Sequence, residues 1–240
     1  MKRRIAALLV LISLPACIGN PSAKPAAGTG SVWGYVRLVR REGVKSVDRK
    51  DPVYADHRLP ELELVDYRRP GFAVVYLEGP PSRGGVLSLE LTAVGGARVG
   101  FRPERAAVGI GGKIVLRNSD AAPHTISCPN ASLLRELKPG EELVVEASQP
   151  GPWTLFALGE TDVQAMVFAA PGPYAVISED GSWTLKDVPP GAGALRAWHP
   201  RLPGTSRNVQ VVPGVVDRVD LEVGVDNLSK ETSDVRETVR

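Results

Sequence analysis

Residues 178–199 read SEDGSWTLKDVPPGAGALRAWH, and this stretch decides the fold class. Asp180-Gly181 is a tight hairpin signal, because both residue types tolerate the positive φ angles of a two-residue turn. The β-prone runs on either side are followed by the turn Pro189-Pro190-Gly191 and then by another β-prone run. The stretch therefore predicts strands joined by short turns.

The same pattern continues in both directions along the chain. The 240 residues include 25 Gly and 21 Pro, which favours many turns and few helices. No segment keeps a helical apolar period over three turns. We predict strands at 31–39, 72–77, 86–91, 113–117, 142–146, 153–158, 165–169, 174–178, 182–185, 193–198, 207–212 and 217–223. Strands spaced about ten residues apart predict an all-β protein made of sandwiches or barrels.

The N-terminus has the features of an export signal followed by an anchor. Three basic residues precede an apolar run of about ten residues, half of what a membrane-spanning helix needs. Leu14-Pro15-Ala16-Cys17 resembles the lipobox of bacterial lipoproteins, whose cysteine is lipidated after cleavage. We expect residues 1–16 to be a signal peptide and Cys17 to be the lipidation site. Ordinary cleavage nearby, which would leave Cys17 a plain thiol, is the alternative.

This leader predicts a location in the bacterial cell envelope, in the periplasm and attached to the outer membrane as a lipoprotein. Residues 17–30 are rich in Pro, Ala, Gly and Ser, so we expect a flexible tether. Residues 226–240 are charged and are expected to form a disordered tail. Residues 41–70 are a long charged connection, where we expect a partner surface.

The charge balance argues against a nucleic-acid partner. The chain has 29 basic and 27 acidic residues, and three of the basic residues lie in the leader. The mature chain therefore has a net charge near zero, and no basic stripe that would follow a phosphate backbone is predicted.

Two parts of the chain resemble one known domain. Residues 30–36 (GSVWGYV) and 73–77 (AVVYL), together with residues 178–199, resemble a carboxypeptidase regulatory-like domain. That domain is a transthyretin-type β-sandwich. The resemblance implies that residues 31–83 and 172–225 form one sandwich and that it acts as a non-catalytic accessory module.

The segment between these parts resembles a different family. Residues 101–103 (FRP), 110–120 (IGGKIVLRNSD) followed by His124, and 137–140 (LKPG) resemble a cupredoxin. The nested order resembles the methylamine-utilisation and plastocyanin-like proteins. It implies a cupredoxin-like domain at residues 84–171, inserted in the regulatory-like sandwich.

The resemblance does not extend to the copper ligands. A blue-copper site needs two imidazoles and a thiolate, with a weak axial ligand. In the resembled family one loop supplies a cysteine, a histidine after two further residues, and then a methionine. The corresponding residues 157–166 read ALGETDVQAM, which includes Met166 but neither cysteine nor histidine. Since only His124 matches a family ligand, we expect a cupredoxin fold without its blue-copper site and no cofactor.

Cys128 is the other candidate thiolate. On an extended strand, His124 and Cys128 share a face but lie about 13 Å apart, whereas Pro123 and Pro129 could bend the segment and bring them together. A copper-binding or electron-transfer protein that uses His124 with Cys128 or Met166 is therefore the alternative function. By default, His124 is a hydrogen-bonded histidine and Cys128 a small buried apolar residue.

Enzymatic chemistry is not predicted. Ser127, His124 and Asp120 include the residue types of a nucleophilic triad, but side chains along one strand do not converge. No Gly-x-Ser-x-Gly turn occurs. We therefore predict a lipid-anchored interaction protein whose partner is a protein or a carbohydrate. The tryptophans, which can supply core or stacking faces, are Trp33, Trp153, Trp183 and Trp198.

Overall fold

The computed structural model describes residues 24–40, 65–81, 84–95, 98–160 and 163–225. The predicted signal peptide, Cys17, residues 41–64 of the charged connection and the predicted tail lie outside the described residues. Within them the regular secondary structure consists of strands and one short 3-10 turn at Pro129–Ala131, which confirms the predicted all-β fold class. No helix in these ranges is long and apolar enough to cross a membrane.

The strands of the described residues, numbered in chain order, are β1 Gly30–Val39, β2 Val74–Glu78, β3 Val86–Gly95, β4 Arg98–Arg102, β5 Arg105–Gly109, β6 Lys113–Asn118, β7 His124–Cys128, β8 Leu133–Leu137, β9 Glu142–Glu146, β10 Gly151–Leu158, β11 Gln164–Ala170, β12 Tyr174–Val176, β13 Ser182–Val188, β14 Gly191–Trp198, β15 Thr205–Val211, β16 Val216–Arg218 and β17 Leu221–Gly224.

Strands from the two ends of the described chain form one pair of sheets, which we call the outer sandwich. In the first sheet β1 pairs with β13, β16 and β17, and the second sheet has the order β12-β2-β14-β15. Val32 and Val36 of β1 face a core that both sheets share, whereas Trp33 and Tyr35 alternate to the outer face. Gly34 is required here, since a Cβ on it would lie 1.8 Å from the carbonyl oxygen of Val219.

Strands β3 to β11 pair only with one another and form a second pair of sheets, which we call the inner sandwich. One sheet has the order β5-β11-β10-β7-β8 and the other β4-β3-β6-β9. Their shared core contains Phe101, Ile126, Leu137 and Trp153, each at most 1% exposed. The period-two alternation along these strands explains the burial, because one face of each strand is apolar.

An aromatic cluster, which we call the junction cluster, joins the two sandwiches. Phe168 of β11 stacks on Trp198 of β14, with 4.6 Å between ring centroids, and lies 5.4 Å from Tyr76 of β2. Val74 and Ala170 are buried in the same cluster. Ala165, Val167 and Ala169 of β11 face the inner core, so both faces of this strand are covered over most of its length.

Hydrogen bonds attach the segment before β1 to the outer sandwich. The backbone N–H of Ala26 donates to Oδ1 of Asp187 at 2.7 Å. The carbonyl of Thr29 accepts from the backbone N–H of Gly214 at 2.8 Å. These contacts involve the end of residues 17–30, and the flexible tether expected there stays a prediction.

Four strands were not predicted from the sequence. They are β4, β5, β7 and β8. Strands β4 and β5 are separated by only Pro103 and Glu104, and β7 lies between Pro123 and Pro129, so turn residues conceal short strands there. The predicted strand at 217–223 is divided into β16 and β17, between which the side chain of Asp220 accepts from the backbone N–H of Tyr35.

Candidate functional site

A buried asparagine organises the segment that leads to His124. Asn118 ends β6 with its side chain fully buried. Its Nδ2 donates to the carbonyls of Ala122 at 2.8 Å and Leu137 at 2.9 Å, and its Oδ1 accepts from the backbone N–H of Asp120 at 3.0 Å. Since one side chain satisfies three backbone groups, it fixes the turn between β6 and β7 and so the position of His124.

His124 lies between two carboxylates. Its Nε2 donates to Oδ2 of Asp120 at 2.7 Å, and its Nδ1 lies 4.0 Å from Oε1 of Glu160. The ring is 7% exposed, whereas Asp120 is 18% and Glu160 38% exposed. The hydrogen bond from His124 lowers the pKa of Asp120, and backbone N–H groups of residues 121 and 122 lower it further. The arrangement is a nearly buried imidazole with an anionic group at each nitrogen.

Cys128 does not join His124. Both residues belong to β7, which is extended, so they lie on the same core-facing side at opposite ends of the strand. The sequence left open whether this segment is extended or is bent by its flanking prolines. In the structure β7 is extended, and the prolines do not bend it back on itself. Burial raises the pKa of the Cys128 thiol, which is fully inaccessible. A protonated, buried thiol behaves as an apolar group.

Met166 and Ser127 lie on the other side of the same sheet. Ala165 and Val167 face the inner core, so Met166 between them points outward, away from the face that carries His124. Ser127 likewise alternates away from His124 on β7. The structure therefore brings Asp120 to His124 but brings neither Met166, Cys128 nor Ser127 to it.

Two residues beside His124 were not singled out in the sequence. Ala157 of β10 pairs with Ile126 and is 2% exposed, which places its methyl group on the core-facing side next to His124 along the ladder. Glu160 follows three residues later and approaches Nδ1. The spacing of the family's Cys-x-x-His loop, counted from Ala157, ends at Glu160, and this spacing is the signal that could have identified both.

The residues around His124 do not fit a blue-copper ion. A trigonal site needs a second imidazole and a thiolate within about 2.0–2.3 Å of the metal, the range of histidine and cysteine ligands to zinc. Here a methyl group and a carboxylate occupy the adjacent positions. In the part of the chain that the structure describes, no three His, Cys, Asp or Glu side chains are grouped so as to hold a metal ion.

His199 and the four tryptophans pack against or hydrogen-bond to other parts of the chain. Nε2 of His199 donates to the carbonyl of Pro70 at 3.2 Å, and its Nδ1 accepts from the backbone N–H of Arg201 at 3.1 Å. Trp153 and Trp183 are buried in the two cores, and Trp198 lies in the junction cluster. Trp33 is on the outer face of β1, where the guanidinium of Arg218 covers its ring at 5.1 Å.

Comparisons with known proteins find similarity to cupredoxins over about a third of the chain. No family model and no curated protein matches. A purple cupredoxin from Nitrosopumilus maritimus is 16% identical with a TM-score of 0.31, over 35% of this chain and 99% of that one. Plastocyanin from Dryopteris crassirhizoma gives 16% and 0.29, over 34% and 98%.

An auracyanin from Roseiflexus castenholzii gives a similar result, with 14% identity and a TM-score of 0.29 over 38% of this chain and 99% of that one. Because these scores are low, nothing about the metal or the function of this chain is derived from them. The chain is an all-β protein that is similar to cupredoxins over part of its length.

Proposed function

We propose that this protein is an exported, lipid-anchored interaction protein, in which a cupredoxin-like domain serves as a structural and binding module without a blue-copper site. The nested arrangement belongs to this proposal: the outer sandwich is a carboxypeptidase regulatory-like domain and the inner sandwich its insertion. The proposal includes no catalysis and no resident cofactor, and the partner is a protein or a carbohydrate in the cell envelope.

The observation that carries the proposal is the pair of carboxylates at His124. Both ring nitrogens face an acidic group, at 2.7 Å and 4.0 Å, whereas Cys128 lies at the far end of β7 and Met166 on the opposite face of the sheet. A polar cluster at the rim of a well-filled core is suited to holding a surface loop in one conformation.

The alternative is a copper-binding or electron-transfer protein that uses His124 with Cys128 or Met166. It has less support, because Cys128 lies at the opposite end of β7 from His124 and Met166 lies on the opposite face of the sheet. Movement of Cys128 would also open the inner core, since its thiol is inaccessible.

Copper titration tests the proposal directly. The purified wild-type protein is titrated with Cu(II), and we expect no intense visible absorption, since a thiolate–copper charge-transfer band needs a cysteine beside His124. The matched variant carries Ala157→Cys together with Glu160→His, which restores both donor types at the positions next to His124. We expect the band in the double variant only, and an intense band in the wild-type protein would refute the proposal.

The anchor is tested separately by Cys17→Ser. The proposal rests here on the lipobox-like sequence before Cys17. The variant is expected in the soluble fraction of fractionated bacterial cells, whereas the wild-type chain sediments with membranes. Unchanged membrane association of the variant would mean that lipidation at Cys17 does not hold the protein.

A further inference from the structure

A groove of about 720 Å³ lies where the inner sandwich meets the connection between β14 and β15. The inner sandwich contributes the β3–β4 hairpin, the start of β5 and the β10–β11 connection, and the outer sandwich contributes Pro200 and Arg201. Its volume is in the range of small-molecule sites, which occur preferentially between domains.

Three arginines from different elements line this groove. Arg98 belongs to β4, Arg105 to β5, and Arg201 to the connection after β14. Two carboxylates, those of Glu104 and Glu160, line it as well, but that of Glu160 is directed at His124. The groove therefore has an excess of positive charge.

The lowered pKa of His199 supports a positive electrostatic potential beside the groove. Burial is the largest cause of its lowered pKa, and the positive charges of Arg105 and Arg201 lower it further. Both arginines also interact with other groups of the chain. A ligand anion would share or replace those interactions, and the planar guanidinium groups favour an oxyanion such as a carboxylate.

Apolar side chains form the floor beside these charges. Val94 is 45% exposed and Met166 is half-buried, and Phe101 and Val163 also line the groove. Gly100 leaves room for this arrangement, because a Cβ there would lie 2.9 Å from a methyl group of Val94. Solvent-exposed apolar surface next to arginines suits a ligand that has both an apolar part and an anionic head.

From this combination we propose that the groove binds an amphiphilic anion, a small molecule with an oxyanion head on an apolar chain. The head contacts Arg98, Arg105 and Arg201, and the apolar chain covers Val94 and Met166. The proposal goes beyond the protein or carbohydrate partner proposed above and adds a small-molecule ligand to it. The test below is done in the presence of a metal chelator and does not measure metal binding. A negative result in it can therefore be distinguished from a failure of the copper prediction.

Calorimetric titration of the wild-type protein uses three probes below their micelle concentrations. Decanoate has the chain and the negative head, decyltrimethylammonium has the same chain with a positive head, and acetate has the head without the chain. We expect decanoate to bind at least about tenfold more tightly than either control, the effect of one charge-assisted hydrogen bond or of a few buried methylene groups. Equal binding of decyltrimethylammonium or of acetate, or no binding of decanoate, overturns the proposal.

Variants locate the site. Arg98→Gln and Arg201→Gln are expected to weaken decanoate binding by about tenfold each, whereas Arg135→Gln, on the exposed edge strand β8, leaves it unchanged. Met166→Glu places a carboxylate on the floor of the groove and is expected to abolish decanoate binding. Met166→Gln places no charge there and is expected to keep more of the binding than Met166→Glu does. If all four groove variants bind as the wild-type protein does, decanoate binds elsewhere and the proposal is wrong. The probe comparison on the wild-type chain holds even if a variant does not fold.

Discussion

The two sandwiches each bury one histidine, and both rings are 7% exposed. His199 of the outer sandwich has backbone partners at both nitrogens, the carbonyl of Pro70 and the N–H of Arg201, and arginines lie nearby. His124 of the inner sandwich has a carboxylate facing each nitrogen. The same residue at the same burial thus has a neutral, satisfied role in one sandwich and belongs to a charged cluster in the other.

This difference shows that burial alone does not identify a functional histidine. The backbone partners of His199 fix a single neutral tautomer, with the proton on Nε2, so the ring joins two loops as a structural element. The partners of His124 are side chains that lie partly in solvent, at the rim of the sandwich. The identity and charge of the hydrogen-bond partners decide the role of each histidine. The two roles can be tested separately by experiment.

The largest effect is expected from Asn118→Ala, which should destabilise the inner sandwich. The substitution leaves two carbonyls and one N–H without their partner, and we expect a loss of about 3 kcal/mol or more, since each buried unsatisfied group costs roughly 1–3 kcal/mol. Urea unfolding followed by circular dichroism measures the free energy of unfolding.

The control for this prediction is Asn208→Ala on β15 of the outer sandwich. Its side chain is exposed, so a change within about 0.5 kcal/mol is expected. Equal losses in both variants would contradict the role given to Asn118, and with it the claim that this residue fixes the turn before His124.

A smaller effect is expected in the pH dependence of stability, through His199. The pKa of His199 is lowered in the folded protein from its ordinary value of 6.5, so the neutral form favours folding above pH 6.5 and this contribution is lost as the pH falls below that value. The wild-type protein should therefore lose stability between about pH 7.5 and pH 5.5. His199→Gln should lose less over the same interval in the same urea experiment.

The smallest effect is expected from Asp120→Asn over that interval. The pKa of Asp120 is lowered from 3.8, so its contribution is present above that value and is lost only as the pH falls below it. This variant should therefore follow the wild-type slope between pH 7.5 and pH 5.5. A flattened slope in Asp120→Asn, with an unchanged slope in His199→Gln, would contradict the assignment of this pH dependence to His199.

The fold class was predictable because local signals agreed along most of the chain. The turn at Asp180-Gly181 and the β-prone runs of β1 and β9 are visible in the sequence, and the predicted strands start or end within a few residues of observed ones. The short strands β5 and β7 were not predicted, because prolines lie close to both of them in the sequence. Their position is set by pairing with β11 and β10, which is tertiary information.

The candidate site was predictable only in part. His124 followed from its resemblance to a family ligand. Its contact with Asp120 was not predicted, because the side chains were expected to lie along one strand, whereas Asp120 lies in the turn before β7. The approach of Glu160 depends on how the β10–β11 connection folds over the end of the sandwich, and the only sequence signal for it is the spacing of the family's loop, counted from Ala157. The groove is also invisible in the sequence, since Arg98 and Arg201 are about a hundred positions apart.

The covered strand β11 has a consequence for how this protein loses its structure. Ala165 and Val167 contribute to one core and Phe168 to the junction cluster, so opening the inner sandwich also uncovers the aromatic faces of Trp198 and Tyr76. The apolar area exposed in that step adds to the free energy of partial unfolding. We therefore expect partly opened states with one intact half to be disfavoured, and the two halves to unfold as a single cooperative unit on heating or in the presence of proteases.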